Sequence, residues 1–583
     1  MVILTDADVD GFHIMGLLLA FFQKYYPELL ASGFIQRMIT PVIVATKRQE
    51  RQEFFSVPDF NRWYEGKSGY KISYKKGLGS STRQEAVSYF SNIGRYLKNV
   101  TMNEEGVKQI DLFFNDKRAD DRKEWLRDTD DMDLDYDDRE QSVGRFIDTE
   151  LKQFSQETLT RAIPSLVDGL KESQRKILFA CFKKFDNSNK PFKIAQLASY
   201  TAEKTAYLHG EVSLGSAITK MTQGFVGSNN LPLLVPDGMT GSRLQMGADA
   251  ASTRYTFTRL QPYTRDIFHK DDDAILTYRE EEGQEIEPDF FVPVVPLVLI
   301  NGASGIAVGY RTEVPQHKME DIVKSIQHKL TAGEFLPVKP YYKGFKGTIV
   351  ETETGWETKG VFTKNGNKIE ITELPIGVST DKYTEHLNKL SESGKVVRFN
   401  VGGGATDENS IHFVLQVSPS FDTTALKLTK TLTKSCLNLL TAAGTVRTFT
   451  SVAEIIAEFY IVRLEATAKR RSHLITTFNK ELTYINAKIK FVEAVLQNKI
   501  NIRETKVKIL EQAQNEHLSL DLTEEFIKMP LIGLSKEMVE AMEKKREKLQ
   551  IGLRETVQMS VEEFYKNDLK KLMVSKKRKR SDD

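Results

Sequence analysis

Cysteine, net charge and long apolar runs are all scarce in this sequence, and each scarcity narrows the class of protein. Two cysteines, Cys181 and Cys436, among 583 residues argue for a reducing compartment and against a disulfide framework. No run of about 18 apolar residues occurs, so the sequence predicts no transmembrane helix. The N-terminus enters a strand and an acidic loop at once, unlike a signal or transit peptide. A formal net charge of +2 means that any nucleic acid must be bound by local basic patches.

Length and composition predict a multidomain globular protein. A chain of 583 residues exceeds what one hydrophobic core organises, which favours roughly three to five domains. Hydrophobic residues make up 40% of the chain and charged residues 28%, which is the balance of an ordinary soluble protein.

Local patterns predict a multidomain arrangement of α/β and α+β segments. The pattern over residues 1–127 predicts an α/β unit. It begins with an apolar strand over residues 2–5 and an acidic loop, and continues with an apolar helix through residues 14–22 and a strand-like stretch over residues 34–46. A basic, glycine-broken turn follows at residues 74–79. Because the chain opens on the strand that carries the acidic loop, we expect partner strands on its N-terminal side. Residues 128–138 are a dense aspartate run, typical of a solvated linker.

The remaining chain changes character twice. Residues 146–268 alternate short helices with glycine-rich turns, and residues 269–445 are richer in strands, with β-branched runs at 291–300 and 411–417. No proline occurs between residues 452 and 528. There, apolar residues recur in steps of four and three, at Phe478, Leu482, Ile485, Ile489, Val492 and Leu496. This heptad seam predicts a long antiparallel coiled coil, with a return helix over residues 535–571, although this segment taken alone favours a plain structural hairpin.

The tail Lys576-Lys-Arg-Lys-Arg580 is a basic cluster. It fits a nuclear address, a nonspecific DNA contact or a solvated terminus.

Two motifs carry most of the chemical information. Asp6, Asp8 and Asp10 place hard oxygen ligands at the end of a strand, which suits Mg²⁺ better than zinc, although helix capping would explain acidic residues there too. Arg254 and Tyr255 set a guanidinium beside a phenol, in a segment that also contains glycines and further arginines. An activated tyrosine can attack phosphorus, and together the motifs suggest cutting and resealing of a nucleic-acid backbone. Most tyrosines, however, only pack or cap.

Basic residues accompany the start of a predicted helix near residue 171. These are Arg161, Lys171, Arg175 and Lys176. A helix N-terminus with nearby cations is a natural phosphate seat. His209 could donate to a phosphate oxygen, although an isolated histidine is more often structural.

The chain resembles the DNA-cleavage core of a type IIA DNA topoisomerase of the eukaryotic and large-DNA-virus kind. The matching motifs are Thr5-Asp-Ala-Asp-Val-Asp-Gly11, Tyr74-Lys-Lys-Gly-Leu-Gly79, Asp121-Arg-Lys-Glu-Trp-Leu126, Ile163-Pro-Ser-Leu-Val-Asp-Gly169, His209-Gly-Glu211, Phe225-Val-Gly-Ser-Asn-Asn230, Arg254-Tyr255, Ile300-Asn-Gly-Ala-Ser-Gly-Ile306 and Met529-Pro-Leu531. They follow the family's order and cover nearly the whole chain.

The resemblance implies a domain order. It implies the C-terminal part of a Toprim domain over residues 1–127, an acidic linker over 128–145 and a winged-helix domain over 146–268. An α+β tower domain over 269–445 precedes a coiled coil with a C-terminal dimer gate over 446–572 and a basic tail over 573–583. The family's ATPase domain and the Toprim glutamate that completes a two-metal site are expected outside this chain, in the same precursor or on a separate polypeptide.

The resemblance also implies residue roles. Asp6, Asp8 and Asp10 match the metal-binding aspartates, and Tyr255 matches the nucleophile. Arg254 matches the arginine that steadies the scissile phosphate, and His209 a residue that assists the transfer. The positions implied to contact DNA are Arg161, Lys171, Arg175, Lys76 and the wedge residue Ile306.

The implied activity is that of an ATP-dependent type II DNA topoisomerase, which passes one duplex through a transient double-strand break. It implies Mg²⁺, double-stranded DNA, a homodimer and ATP bound by the absent ATPase domain, with no membrane contact. The expected location is the nucleus or the DNA compartment of a virus-infected cell. Two alternatives stay open, a noncatalytic DNA-clamping homologue and a metal-dependent nuclease.

Overall fold

The computed structural model describes residues 1–75, 77–127, 138–186, 188–207, 209–281, 283–402 and 410–579. We divide them into an N-terminal part (residues 1–162), a central part (residues 163–450) and a C-terminal part (residues 451–579). None of the helices in these ranges combines the length and the hydrophobicity that a membrane crossing requires.

The N-terminal part is a mixed α/β unit, as predicted. Its strands are β1 (Val2–Leu4), β2 (Gln36–Met38), β3 (Ile43–Lys47), β4 (Glu50–Phe54), β5 (Lys71–Tyr74), β6 (Leu97–Thr101) and β7 (Glu140–Ser142). Its helices are α1 (Val9–Tyr25), α2 (Pro27–Ala31), α3 (Val57–Tyr64), α4 (Arg83–Ser91), α5 (Ile93–Tyr96), α6 (Glu104–Phe114), α7 (Ala119–Arg127), α8 (Val143–Phe146) and α9 (Lys152–Ala162). A π-helical turn, Ile147–Leu151, joins α8 to α9 in one continuous helical segment.

Two sheets organise this part. In the first the strand order is β1-β2-β6-β7, with β1 parallel to β2, β2 antiparallel to β6 and β6 parallel to β7. The second is antiparallel, in the order β4-β3-β5. Helix α1 buries Phe12, Met15 and Leu19 in a core that also contains Phe146 and Leu151. The N-terminal core therefore includes residues beyond position 127, where the predicted Toprim segment ends, and the aspartate run at 128–137 lies outside the described residues.

The central part contains most of the strands. They are β8 (Phe192–Lys193), β9 (Phe257–Thr258), β10 (Tyr278–Glu281), β11 (Gln284–Pro288), β12 (Ala303–Ala307), β13 (Tyr310–Val314), β14 (Thr348–Thr352), β15 (Gly355–Lys359), β16 (Val361–Asn365), β17 (Lys368–Glu373), β18 (Val396–Gly402), β19 (His412–Val417), β20 (Thr429–Thr433), β21 (Asn438–Leu440) and β22 (Val446–Thr448). The helices are α10 (Glu172–Phe185), α11 (Ile194–Lys204), α12 (Glu211–Thr222), α13 (Thr264–Ile267), α14 (Leu297–Ile300), α15 (Met319–Ala332) and α16 (Thr380–Glu392).

Two sequence predictions in this part have opposite outcomes. The run at 411–417 forms β19, and its alternate residues Phe413, Leu415 and Val417 are buried, as a half-buried strand requires. The prediction of a strand over 291–300 is wrong, because residues 297–300 form the short buried helix α14. Pro293 and Pro296 have no amide hydrogen for a strand ladder, which explains why the apolar run does not extend a sheet.

The C-terminal part is helical. Its helices are α17 (Val452–Leu496), α18 (Lys506–Asn515), α19 (Leu520–Phe526), α20 (Lys536–Gln558) and α21 (Val561–Lys579). The 45-residue α17 packs antiparallel to α20. Three of the predicted seam residues, Ile485, Ile489 and Val492, are buried there, whereas Leu496 at the end of the helix is exposed.

The predicted return helix is in fact two helices. Helix α20 ends at Gln558 and α21 begins at Val561. The Ser560 amide donates to the Glu563 carboxylate, and the Glu563 amide donates to the Ser560 hydroxyl. This reciprocal capping box starts a new helix, so the break was readable in the Ser-x-x-Glu spacing.

Helix α21 packs against the N-terminal half of α17. The two helices meet in a buried ion cluster, which consists of Arg463, Arg470, Asp272 and Asp568. Arg463 donates to Asp272 at 2.7 Å and to Asp568 at 3.0 Å, and Arg470 donates to Asp568 at 2.5 Å. Both arginines are at most 1% exposed. The cluster ties together α17, α21 and the turn Lys270–Ile275 of the central part.

Candidate active site

The acidic loop is tightly folded against the start of α1. Asp8 is the N-cap residue of α1, and its side chain accepts a 2.7 Å hydrogen bond from the Gly11 amide. A Cβ atom at Gly11 would lie 2.0 Å from the Asp6 carbonyl oxygen, so the turn requires glycine. The capping role considered for these aspartates is therefore real for Asp8. It uses one carboxylate oxygen of a side chain that is otherwise exposed.

The glycine-broken turn at residues 74–79 lies against this loop. Gly77 has a φ of +78°, and a Cβ atom there would lie 2.8 Å from Asp6 Oδ1. The fold thus brings two separate sequence motifs into contact. Lys76, predicted to contact DNA, lies outside the described residues, so its role stays a prediction.

An ion pair on the other side of the turn fixes its position. Lys75 Nζ lies 2.8 Å from Glu85 Oε1, and the Thr82 amide donates to Glu85 Oε2 at 2.8 Å. Burial alone would raise the pKa of Glu85, but the hydrogen bonds from Lys75 and Thr82 outweigh it and lower that pKa from 4.5 to about 2.

We expect replacement of Glu85 with glutamine to destabilise the fold by about 3 kcal/mol at neutral pH. Because the folded-state pKa of Glu85 is depressed, its contribution is complete above pH 4.5 and is lost as the pH falls towards 2. Thermal unfolding of both proteins between pH 6 and pH 2, a range of about four units that spans the titration of Glu85, measures this contribution to stability. The wild-type protein should lose stability more steeply than the variant, and parallel pH curves would contradict the assignment.

Asp10 joins the acidic loop to Arg161 on α9 and to His209 of the central part. Its two carboxylate oxygens accept hydrogen bonds from Arg161, at 3.2 Å from Nη1 and 3.1 Å from Nη2. His209 Nδ1 lies 3.6 Å from Asp10 Oδ2, and Glu157 Oε1 lies 3.3 Å from Arg161 Nη2. The structure therefore gathers three predicted site residues, Asp10, Arg161 and His209, within one chain.

Glu157 is a site residue that the sequence prediction missed. It lies four residues before Arg161 on α9, a spacing that places both side chains on one helix face. Burial raises the pKa of Glu157 and outweighs the lowering by the positive charge of Arg161, while the nearby Glu172 raises it further. The i, i+4 spacing was the signal that could have identified it.

A cleft of about 640 Å³ opens beside this group. Asp8, Asp10, Glu157, Lys176 and His209 are among its lining residues. Within the part of the chain that the structure describes, neither Arg254 nor Tyr255 lines it. The two motifs that suggested the chemistry are therefore not joined through this cleft.

Tyr255 stands on a rigid, hydrogen-bonded turn. Its amide donates to the Ser252 carbonyl at 2.9 Å, and the first amides of α11, Ile194 and Ala195, donate to the carbonyls of Thr256 and Thr253 at 3.0 and 3.1 Å. The Tyr255 side chain is 71% exposed, and the Arg254 guanidinium lies 5.7 Å from its ring centre. The phenol is thus presented to solvent beside an exposed guanidinium, which suits a nucleophile and does not suit a packing residue.

The other predicted DNA contacts differ in exposure. Ile306 is 78% exposed on the hairpin of β12 and β13. A Cβ atom at its neighbour Gly305 would lie 2.1 Å from the Ala162 carbonyl oxygen, so this hairpin packs directly on the end of α9, beside Arg161. Lys171 is half-buried, and its pKa is lowered by burial and by repulsion from Lys220.

Arg175 is 5% exposed, and its guanidinium donates to both carboxylate oxygens of Asp168, at 2.6 and 3.1 Å. These contacts support a role in holding the loop that precedes α10, and a direct phosphate contact by Arg175 stays a prediction without structural support.

Among the described residues, histidine, cysteine and acidic side chains form no group of three arranged to hold a metal ion. Asp6 and Asp8 are exposed, and Asp10 is paired with Arg161. Carboxylate oxygens are the donors that Mg²⁺ prefers, so the donor type fits, and further ligands must complete the site.

Comparisons with known proteins identify the family of the chain. A family model described as the A-type subunit of DNA gyrase/topoisomerase IV matches residues 161–573, and one described as the C-terminal associated domain of TOPRIM matches residues 38–159. The chain is 39% identical over 521 residues to the mitochondrial DNA topoisomerase 2 of Dictyostelium discoideum, a match that covers 86% of this chain and 40% of the relative. It is 37% identical over 522 residues to DNA topoisomerase 2 of Saccharomyces cerevisiae, covering 86% of this chain and 36% of that protein.

The fold is similar to the crystal structure of the Plasmodium falciparum topoisomerase II DNA-binding, cleavage and re-ligation domain. The TM-score is 0.82 at 33% sequence identity, and the match covers 100% of this chain and 85% of that one. The chain spans 40% or less of the lengths of the two curated relatives named above. With the first family model covering well over half of its residues, the chain belongs to the DNA gyrase/topoisomerase IV family of A-type subunits and, with these relatives, to the type II DNA topoisomerases.

Proposed function

We propose that this chain is the DNA cleavage and religation core of an ATP-dependent type II DNA topoisomerase. The observation that carries the proposal is the 71% exposed phenol of Tyr255 on a hydrogen-bonded turn beside Arg254. A buried or loosely held tyrosine could not reach a DNA phosphate in a defined geometry. The membership of the chain in the type II topoisomerases supports the same reaction.

The proposed chemistry is a reversible transesterification. The Tyr255 hydroxyl gives up its proton as its oxygen forms a bond to a backbone phosphorus. The bond from that phosphorus to the 3′-oxygen breaks, and the departing 3′-oxygen takes up a proton. The 5′-phosphotyrosyl ester retains the bond energy, so the reverse attack by the 3′-hydroxyl reseals the strand without ATP. Arg254 supplies positive charge beside the phenol, where negative charge builds up on the phosphoryl oxygens.

Asp6 and Asp8 are the residues of this chain that would hold Mg²⁺, with Asp10 as a third candidate. When bound, the metal supplies electrostatic stabilisation of the charge that develops on the leaving oxygen. The Asp8 carboxylate already has a fixed orientation through its hydrogen bond with Gly11. A carboxylate from outside this chain completes the proposed two-metal site.

The proposed subdomains are a Toprim segment, a winged helix, a tower, and a coiled coil that ends in a dimer gate. The packing of α17 on α20 supports the coiled coil. The absence of Tyr255 from the described lining of the acidic cleft supports a homodimer, in which Tyr255 of one protomer works with the acidic loop of its partner. Each protomer then cuts one strand, and the pair makes the double-strand break.

An exposed apolar surface on α1 and β1 supports a further protein segment. Ile14, Leu17, Phe21 and Tyr25 are 47–59% exposed at helical spacing on α1. Within the described residues, β1 pairs only with β2, which leaves one strand edge open. We propose that the N-terminal portion of the Toprim domain covers this surface. That portion and the ATPase domain belong to the same precursor or to a separate chain.

Detergent trapping tests the proposed function. The protein is mixed with Mg²⁺ and DNA labelled at one end, and the reaction is stopped with detergent and digested with protease. The proposal requires protein attached to the 5′ end at each break and a free hydroxyl at the 3′ end. Cleavage that leaves a free 5′ end would show a nuclease, and binding without cleavage in the presence of the complementing polypeptide would show a DNA clamp.

We expect Ile306→Ala to reduce DNA bending while leaving most of the DNA affinity intact. An exposed apolar side chain can wedge between base pairs and kink the duplex. Unstacking a step costs a few kcal/mol, which is offset by the protein surface that the bent DNA contacts. Energy transfer between dyes at the two ends of a bound duplex measures the bend. Arg311→Gln, at the paired position on β13, is the control. An unchanged end-to-end distance in Ile306→Ala would contradict the wedge.

The basic cluster at residues 576–580 lies mostly beyond the side chains that the structure describes. We propose from its composition that it directs the protein to the nucleus or to viral DNA, and a fusion of this segment to a fluorescent protein tests that location.

A further inference from the structure

Arg161 is held in this structure by the same kind of contact that it would make with DNA. Its two terminal nitrogens bind the two oxygens of Asp10 side by side, at 3.1 and 3.2 Å. The planar guanidinium fork matches a carboxylate and a phosphate equally well. A DNA phosphate and the Asp10 carboxylate therefore compete for the same nitrogens.

The surroundings make simultaneous binding unfavourable. Glu157 lies 3.3 Å from the same guanidinium, so two carboxylates, those of Asp10 and Glu157, face one cation. His209 lies 3.6 Å from Asp10. The Arg161 side chain is 24% exposed, which leaves little of the guanidinium free for a second anion. A phosphate beside an undisplaced Asp10 would meet like charge at short range.

The position of Arg161 shows where DNA would arrive. Arg161 lies in the last turn of α9, next to Ala162, against which the hairpin of the exposed Ile306 packs. Asp8, two residues before Asp10, is not engaged in this way, because its described hydrogen bond is with the Gly11 amide. Asp10 is thus distinguished within the acidic loop by its ion pair across 151 residues of sequence.

We infer that Asp10 is a displaceable counter-ion that holds Arg161 in the DNA-free protein, and that a DNA phosphate takes its place. This inference rests on the proposed function, because it assumes that Arg161 faces the DNA. The exchange moves no covalent bond and no proton. It frees the Asp10 carboxylate beside Asp6 and Asp8 only when DNA is bound, and it keeps Arg161 oriented before DNA arrives. Asp10 is therefore a positioning residue for Arg161.

A double-mutant cycle tests the exchange by DNA binding alone. The 583-residue chain carries Tyr255→Phe to prevent cleavage, and the metal is removed with EDTA. Fluorescence anisotropy with a labelled duplex then compares Asp10→Asn, Arg161→Gln and the double variant. We expect Asp10→Asn to tighten DNA binding by about threefold, the size expected for loss of a partly exposed ion pair. Arg161→Gln should weaken binding and abolish the gain from Asp10→Asn.

Asp8→Asn is the matched control, because it removes the same charge two residues away and asparagine is also a good N-cap. A gain from Asp10→Asn that equals the gain from Asp8→Asn, or that persists without Arg161, would overturn the inference in favour of general electrostatics. Circular dichroism checks the fold, and Asp10→Ser replaces Asp10→Asn if the latter unfolds. If the protein with Tyr255 forms no adducts but the gain from Asp10→Asn still depends on Arg161, the proposed function is wrong and this inference stands. If adducts form normally but the gain does not depend on Arg161, this inference is wrong and the proposed function stands.

Discussion

Replacing Tyr255 with phenylalanine will reduce covalent protein–DNA adducts to below about 10⁻⁴ of the wild-type level, the scale of loss seen when a nucleophile is removed. The phenol oxygen is the atom that forms the new ester, and phenylalanine has no substitute for it. DNA binding should stay within about twofold, because an exposed hydroxyl contributes little net binding energy. Detergent-trapped adducts on labelled DNA measure the first quantity, and fluorescence anisotropy measures the second.

Tyr341→Phe is the matched control for this experiment. Tyr341 is also exposed, at 38%, and also lies near a cation, Lys318. Its hydroxyl removal should leave the adduct yield unchanged. Adducts that persist in Tyr255→Phe would exclude Tyr255 as the nucleophile. Equal losses in both variants would indicate a general defect in folding or binding rather than loss of the attacking atom.

Local patterns predicted the elements of the site better than their arrangement. The acidic loop, the helix after it and the long heptad helix follow from spacing within short windows, and all three appear in the structure. The break at Ser560 was also encoded locally, in a capping box. The contact between Asp10 and Arg161 joins residues 151 positions apart, and no periodicity in the sequence reports it.

Long-range pairing also decides which basic residues stay available. From the sequence, Arg161, Lys171 and Arg175 look alike, because each is a cation near the start of α10. In the fold, Arg175 donates hydrogen bonds to Asp168 and Arg161 donates to Asp10, whereas Lys171 is half-buried and has a lowered pKa. A single sequence gives residue types and local spacing, whereas burial and partner choice depend on the packing of distant elements. The sequence also does not report how Tyr255 and the acidic loop come together, because in the proposed dimer that contact joins two protomers.

Asp568→Asn will destabilise the protein by about 3 kcal/mol or more, the usual consequence of removing one partner from a buried charge group. Asp568 accepts from both Arg463 and Arg470, which are buried at the junction of α17, α21 and the central part. Without the carboxylate, two buried guanidinium groups share Asp272 alone. Denaturant unfolding followed by circular dichroism measures the loss, and limited proteolysis should show earlier cleavage near the detached α21.

Lys571→Gln, on the same helix, is the control, because the described ion pair of Lys571 is a 3.5 Å contact with Asp266 and the Lys571 side chain is 59% exposed. Its replacement should change stability by less than about 1 kcal/mol. Adding Arg470→Met to Asp568→Asn should restore part of the lost stability, because one arginine then faces one aspartate, in the 2.7 Å pair of Arg463 with Asp272. Equal stability of Asp568→Asn and Lys571→Gln would show that the charges at this junction do not hold α21 in place. Additive losses in the double variant would show that charge imbalance is not the cause.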